Sequence, residues 1–381
     1  MTFKPLNEND TVNTRTLLHE AIPLTGSIIS GSYIDTAVPP NPTNLKSYSH
    51  GMFQTVYDYN YLSSSANHVF DVTCGISSQA AKSFGASGMQ SKKNNIYGQM
   101  AQILMGYDLT GSVQLFDEDG DLLAGGAKMK EVFVLPFSRL LVKDEIKKET
   151  FSMKVDVRSY VAAGQTMAAA DLITIADLGA SNEYRVNSPA GEYGILYAAD
   201  NSLLDLTTAN DAHKATINSV VYLRCGLIFY QAGIVVLTGS VFGSLLDAPL
   251  INGTVGTDTY FNDGTNNLGI DNVFLSNSIN DMNEALLHRI ENVQFNNTTE
   301  LNSTVYFCRA NHNEFNYSSN PTYLDNSRVR VKTQSTDEPV AYITTVGLYN
   351  DRNELLATAK LSEALKKSPS TEFTIRARLD Y

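Results

Sequence analysis

Most of this chain is predicted to form β-strands, and its last residues show the alternation of apolar and polar residues that is typical of them. The pattern is clearest over Phe373–Tyr381, where every second residue is apolar and threonine, arginine and aspartate occupy the positions between. Successive side chains of a strand point to opposite faces of its sheet. We therefore expect a paired strand that places Phe373, Ile375, Leu379 and Tyr381 on one buried face.

A long apolar run over 220–242 predicts a β-hairpin. Its two strands are Leu227–Tyr230 and Ile234–Leu237, and the turn between them is Gln231–Gly233. A membrane-spanning helix needs about 20 residues with few polar interruptions, and Arg224 lies inside this run. We therefore expect no membrane segment here.

Two further hairpins are predicted from strand–turn–strand patterns. Val113–Phe116 is followed by an acidic turn and by Leu122–Ala124, whereas Val346–Tyr349 is followed by a polar turn and by Leu355–Ala357. Acidic residues, asparagine and glycine tolerate the backbone angles that such turns require. The similar spacing of the two units suggests one hairpin design used twice.

Helical periodicity is confined to three short segments. Apolar residues recur every three or four positions over Ile96–Leu104 and Ile279–Ile290, which predicts two amphipathic helices. The segment Thr11–Ala21 is a third candidate helix that would end before Pro23.

Length and composition predict a folded chain with several domains. The hydrophobic share of 43% over 381 residues is that of a protein with a core. We predict an N-terminal arm and β domain over 1–110, a central β domain over 111–250 and a C-terminal β domain over 251–381. Polar segments over 39–44 and 247–272 would form extended arms. The expected fold class is mainly β, with β-sandwich-like domains, a few short helices and extended arms.

Charge and cysteine content limit the partners of this chain. It carries 28 basic and 40 acidic side chains, a net charge of −12, and this balance argues against direct nucleic-acid binding. Cys74, Cys225 and Cys308 are far apart in the sequence and odd in number. We expect them to be buried, reduced thiols, as in a protein that is made in a reducing cytoplasm.

No motif of catalysis or metal binding is complete in this sequence. The acidic segment Asp117–Asp121 resembles part of a calcium loop, but Lys128 occupies the twelfth position, where a carboxylate is required. A solvated acidic turn is the favoured interpretation. His68 and Asp71 lie three residues apart in a strand, which would place them on opposite faces. We expect no catalytic residue, no cofactor, no metal and no enzyme activity.

Two segments rich in tyrosine and asparagine are candidate interfaces, because these residues supply stiff contact area and adaptable hydrogen bonds. The alternative is that they form ordered loops that cap a sandwich. The candidate interface residues are Tyr57, Tyr59, Tyr61, Phe315, Tyr317 and Tyr323.

Several blocks of this sequence resemble those of virion structural proteins of tailed bacteriophages, including cyanophages. The blocks are Ser49–Asp71, Phe137–Lys147, Asn187–Gly194 and the region from Phe315 to the last strand. The hairpin of Thr345–Tyr349 with Leu355–Ala357 is similar to one in tail-fibre and baseplate proteins.

The resemblance implies a structural subunit of a virion, made in the host cytoplasm and located in the tail, baseplate or neck. Its partners would be other copies of itself and other virion proteins, with no direct nucleic acid and no membrane. Alternatives are a receptor- or glycan-binding module on the virion and a head-decoration protein. A depolymerase would need paired carboxylates in a groove, which a sequence cannot show.

Overall fold

The computed structural model describes residues 3–25, 44–80, 88–123, 128–156, 172–199, 213–242, 273–275, 277–287, 289–318, 320, 324–326, 328–329, 332 and 334–381. Its strands are β1 (Thr11–Thr25), β2 (Leu45–Ser47), β3 (Gln54–Tyr57), β4 (His68–Ile76), β5 (Phe116–Asp117), β6 (Lys128–Met129), β7 (Glu131–Pro136), β8 (Glu145–Ile146), β9 (Ser152–Asp156), β10 (Leu172–Ala176), β11 (Tyr193–Ala199), β12 (Lys214–Ile217), β13 (Val220–Phe229), β14 (Ile234–Thr238), β15 (Ile290–Ala310), β16 (Leu324–Asp325), β17 (Arg328–Val329), β18 (Ala341–Tyr349), β19 (Leu355–Lys367) and β20 (Phe373–Asp380). Its α-helices are α1 (Gly88–Leu104), α2 (Arg139–Val142), α3 (Ala180–Glu183) and α4 (Ile279–Leu287), and two 3-10 turns lie at Glu8–Asp10 and Gly239–Phe242.

Strands predominate over helices in the described part of the chain, so the predicted mainly β fold with a few short helices is confirmed. The helices α1 and α4 coincide with two of the three helical patterns. The third prediction was wrong, because Thr11–Ala21 lies within strand β1. Thr11, Val12, Thr14 and Thr16 lie in this segment, and their β-branched side chains favour extended backbone over helix. The proposed arms at 39–44 and 247–272 lie almost wholly outside the described residues.

The chain divides into two compact units. Unit 1 comprises residues 1–18 and 300–381, and unit 2 comprises residues 19–299. The boundary predicted near residue 110 falls within unit 2, and the one near residue 250 lies outside the described residues. Contacts alone do not test which segments fold independently, so the three-domain division stays a prediction.

Unit 2 is built on one antiparallel sheet. Its strand order is β1, β15, β9, β10, β11, β13, β14, β7, β4, β3, β2, with β8 added beside β15 and β12 beside β13. The hairpin predicted over 220–242 is confirmed, since β13 pairs with β14 around the turn at residues 231–233. Both faces of β14 are buried, which explains the continuous apolar run.

One face of this sheet encloses the larger core of unit 2. Strands from both ends of the sheet contribute to a single apolar cluster, together with α4. The ring of Phe137, which follows β7, lies 5.3 Å from Phe295 of β15 and 6.3 Å from Phe151 beside β9. The sheet of unit 2 therefore folds over on itself, as in a sandwich-like domain.

Helix α1 and the short pair β5–β6 cover the other face of the sheet. Tyr97 and Leu104 of α1 join Phe116 and Met129 in a second apolar cluster. The backbone of α1 comes so close to β4 that a Cβ atom at Gly75 would lie 2.9 Å from the backbone nitrogen of Tyr97. Glycine is therefore the residue that permits this helix–strand contact.

The two hairpins predicted as one repeated design turn out differently. The second is confirmed, since Leu348 pairs with Ala357 and Tyr349 with Leu355. The first is wrong, because Phe116 pairs with Met129 in β6. An acidic loop separates these strands instead of a tight turn.

Unit 1 contains β16–β17, the hairpin β18–β19 and the strand β20. The predicted terminal strand is confirmed, because β20 pairs with β15 over eight consecutive residues. Its apolar face is not fully buried, contrary to expectation. Leu379 is 39% exposed and Tyr381 is 72% exposed.

Two further sequence predictions concern thiols and membranes. Cys74 and Cys225 are buried free thiols as expected, but Cys308 is only half-buried. Within the described part of the chain, no helix has the length and apolar character needed to cross a membrane.

Candidate interaction surfaces

The first tyrosine-rich segment forms the loop between β3 and β4. Asn67 closes this loop by donating from its backbone nitrogen to Asp58 Oδ1 (2.6 Å) and from its Nδ2 to Asp58 Oδ2 (2.8 Å). The ring centroids of Tyr57 and Tyr61 are 6.4 Å apart, whereas Tyr59 remains 63% exposed. The loop is thus held by polar contacts and leaves an aromatic side chain accessible.

A β-bulge beside this loop overturns one prediction. Val56 pairs with Phe70 but Tyr57 pairs with His68, so one residue of β4 has no counterpart in β3. Because the bulge breaks the two-residue alternation, His68 and Asp71 share a side of the strand, and His68 Nε2 lies 3.2 Å from Asp71 Oδ1. The carboxylate of Asp71 raises the pKa of His68, although partial burial opposes the effect.

A second aromatic group lies in the turn between β2 and β3. The rings of Tyr48 and His50 are stacked at 5.2 Å, and Phe53 lies 4.9 Å from Tyr48. Lys46 Nζ is 5.0 Å from the centroid of Tyr48, within the range of a cation–π contact. This aromatic turn belongs to the same tyrosine-rich stretch of sequence, at the opposite end of β3.

The other candidate segment, residues 311–318, is anchored to unit 1 by a buried lysine. Lys367 Nζ donates to the carbonyl oxygen of His312 (3.2 Å) and to Asn316 Oδ1 (2.8 Å). Phe315 adopts a left-handed φ of 56° and is 37% exposed, and Tyr317 is 58% exposed. This segment is also an ordered loop with accessible aromatic side chains.

The structure therefore brings together only some of the candidate residues. Tyr57 and Tyr61 are neighbours in unit 2, whereas Phe315 and Tyr317 share a loop of unit 1. Tyr323 lies outside the described residues.

A further accessible surface, which was not predicted from the sequence, lies on the strands of unit 1. In β18 and β19 only Ala341 and Lys367 are buried. The exposed apolar side chains of these strands and of β1 include Val12, Leu17, Leu18, Tyr342, Leu355 and Leu356. These strands are rich in apolar and β-branched residues, and this composition was the sequence signal for the surface. Only the topology shows that the strands have few neighbours to cover those residues.

The acidic loop between β5 and β6 is not simply solvated. The carboxylates of Asp117, Asp119 and Asp121 each offer an oxygen within 4.8 Å of the others, a spacing that suits a cation. Asp117 is buried, however, and Lys128 Nζ lies 2.7 Å from its Oδ2. The lysine at the twelfth position therefore contributes a positive charge to the group of carboxylates. The expectation that all these aspartates are solvated was wrong for Asp117.

A buried carboxylate–imidazole pair lies next in the sequence. Glu118 Oε2 is 2.6 Å from His213 Nδ1, and the glutamate is almost fully buried. Burial raises the pKa of Glu118, and the hydrogen bond to Glu118 raises the pKa of His213. The pair ties the start of β12 to the acidic loop, which is a structural role.

No family model, no curated protein and no solved structure matches this chain.

Proposed function

We propose that the chain is a structural subunit of a tailed-phage virion, in the tail, baseplate or neck, and that it acts through protein–protein assembly. The observation that supports this most is the exposure of the long hairpin β18–β19, in which two residues alone are buried. The sequence blocks that resemble virion structural proteins support the proposal that the chain is part of a phage particle.

The exposed strands of this hairpin need further contacts to be stable. A two-stranded hairpin is marginally stable in water unless a third strand or another surface covers it. The hairpin has 9 residues in β18 and 13 in β19, longer than most strands of soluble domains. Tyr342 and Leu356 are more than half exposed on it. Contacts with neighbouring subunits would bury these side chains.

Mass spectrometry of purified particles tests the proposal. Particles from the cells that encode the chain should contain it in a copy number that is a multiple of the particle symmetry. Electron microscopy of particles labelled on the chain should then place it in the tail, baseplate or neck. Absence of the chain from intact particles would contradict the proposal.

A receptor- or glycan-binding module on the virion is the second candidate, and the exposed Tyr59 favours it. Aromatic rings that stay accessible on an ordered loop offer flat surfaces for ligands. Binding to a glycan array that disappears when Tyr57 and Tyr59 are replaced by alanine would favour this module over a purely structural subunit.

A further inference from the structure

Strand β20 has one backbone edge that pairs with no other strand in the described part of the chain. The backbone nitrogen of Tyr381 donates to the carbonyl oxygen of Asn302 (2.9 Å), so the odd-numbered residues of this segment direct their backbone groups towards β15. The even-numbered residues direct theirs to the opposite side, and there they meet no strand among the described residues. The residues with outward backbone groups are Thr374, Arg376, Arg378 and Asp380.

We propose that β20 pairs with β20 of a second copy of this chain, antiparallel about a two-fold axis that passes beside Ala377. This inference rests on the proposed function, because it names the surface through which an assembly subunit would contact another copy. In this register the whole of Phe373–Tyr381 overlaps its symmetry mate, and four pairs of residues exchange backbone hydrogen bonds.

The regularity of β20 distinguishes it from other exposed strands. It pairs with β15 over eight residues without a bulge. The hairpin β18–β19 has register shifts after Ile343 and Leu348, and β2 is only three residues long. Bulges and short length are ways in which proteins prevent edge pairing, and β20 has neither, nor does it contain proline or glycine.

The half-exposed apolar face of β20 would be extended by this pairing. Pairing about Ala377 places Ile375 opposite Leu379 of the second copy and Phe373 opposite its Tyr381. Within Phe373–Tyr381, Leu379 and Tyr381 are the apolar residues left most exposed in the single chain, at 39% and 72%. Two partly covered apolar stripes would thus become one continuous surface.

Charge is distributed so that unit 1 is the favourable place for two copies to meet. Unit 1 contains twelve basic and twelve acidic side chains, whereas unit 2 contains sixteen basic and twenty-eight acidic ones. The net charge of −12 therefore belongs entirely to unit 2. Contact through unit 1 avoids the repulsion that two acidic surfaces would produce.

The arginines of β20 provide the opposing argument. Charged side chains on an edge strand often prevent pairing, and the proposed register puts Arg376 opposite Arg378 of the second copy. Arg378 Nε already lies 2.6 Å from Asp380 Oδ1, which offsets its charge. Arg376 would in turn lie diagonal to Asp380 of the second copy. Stronger association at higher salt is expected, because salt screens the remaining repulsion.

Cysteine crosslinking tests the register in the full-length chain. In a Cys308→Ser background, Ala377→Cys should form disulfide-linked dimers under mild oxidation, because residues on the two-fold axis face their own copies at about 4.5 Å between Cα atoms. Ile375→Cys alone is the matched control and should not crosslink efficiently. Combined with Leu379→Cys it should, because these two positions face each other.

A second variant tests the backbone edge without a new thiol. Arg378→Pro removes an N–H that points away from β15, so the existing ladder is retained while the outer edge loses a donor. Light scattering should show a smaller mass for this variant than for the natural chain. Its melting temperature should stay within a few degrees of the natural value.

The outcomes separate this inference from the proposed function. Crosslinking through Ala377→Cys, with dissociation by Arg378→Pro, supports the pairing. Particles that contain the chain, together with no crosslink at position 377, would overturn the pairing and leave the proposed function intact. A chain that stays monomeric at its highest soluble concentration, without a crosslink, would also overturn it. Absence from particles counts against the proposed function alone.

Discussion

Lys128 Nζ lies 2.7 Å from Oδ2 of Asp117, a carboxylate with no exposed surface. The same oxygen accepts a hydrogen bond of 2.8 Å from the backbone nitrogen of Leu122. Leu122 has a left-handed φ of 61°, an unusual conformation for a leucine. The ion pair therefore lies at the centre of the acidic loop and supports a backbone conformation that the sequence alone does not favour.

Lys128→Gln should lower the free energy of unfolding by about 3 kcal/mol, because it leaves a buried carboxylate without its cation. Chemical denaturation measures this loss. Asp121→Asn is the matched control, since Asp121 is exposed, and it should change stability little. A natural chain whose melting temperature rises strongly with added calcium would instead show that the three carboxylates bind a metal.

The buried carboxylate of Asp177 should make stability depend on pH. It accepts hydrogen bonds from the backbone nitrogens of Glu149 (2.8 Å) and Phe151 (3.0 Å) and from the hydroxyl of Tyr230 (3.2 Å). Burial nevertheless raises the pKa of Asp177 to about 7. The unfolded chain ionises this group near pH 4.

Because the folded pKa is the higher one, the stability that Asp177 contributes is fully present below about pH 4 and is lost as the pH rises to about 7. Relative to Asp177→Asn, the natural chain should therefore lose on the order of 4 kcal/mol over this interval. Denaturation curves of both chains at several pH values measure the difference. A difference that stays constant with pH would contradict the prediction.

Gly75 of β4 and Gly98 of α1 should respond oppositely to alanine. Gly75→Ala places a Cβ atom 2.9 Å from backbone atoms of Tyr97, so the helix must move, at a cost of about 1–3 kcal/mol. Gly98 lies within α1 with nothing near its Cβ position, and Gly98→Ala should stabilise the chain by about 0.5–1 kcal/mol. Thermal unfolding of the two variants decides this, and equal effects would contradict the described contact.

The three thiols should react in order of burial. Cys74 and Cys225 are fully buried, and burial raises the pKa of Cys74 to about 12 and that of Cys225 further. Cys308 is half-buried, with a pKa also raised by burial. A thiol reagent should label Cys308 slowly in the native chain and the other two only after unfolding. Native labelling of a Cys308→Ser variant would contradict this order.

Local patterns predicted the elements whose neighbours are close in the sequence. The β13–β14 hairpin follows from two apolar runs around Gln231–Gly233, and α4 from the spacing of Ile279, Met282 and Leu286. Both elements bury the side chains that their patterns mark as apolar. The spacing of apolar residues predicted these two elements correctly because the residues that it marks as apolar are the ones that the fold buries.

Sequence patterns gave wrong predictions where the structure depends on pairing with a strand distant in the sequence or on an extra residue in a β-bulge. Thr11–Ala21 became a strand because β15, nearly three hundred residues away, lies beside it in the sheet. The proximity of His68 and Asp71 depends on a bulge against β3, which has no signal in the alternation of β4. Exposure of the β18–β19 hairpin could not be predicted either, since alternation does not reveal whether another element covers a face.

Close backbone contacts also determine which substitutions this chain can tolerate. A Cβ atom at Gly226 would lie 2.2 Å from the carbonyl oxygen of Val236, and one at Gly75 would meet the backbone of Tyr97. Neither glycine has a functional group. In a scan of all single substitutions, these two positions would nevertheless be as intolerant as the reactive residues of an enzyme. Intolerance to change at these two positions would therefore mark where two backbones meet, and would not indicate a catalytic or binding residue.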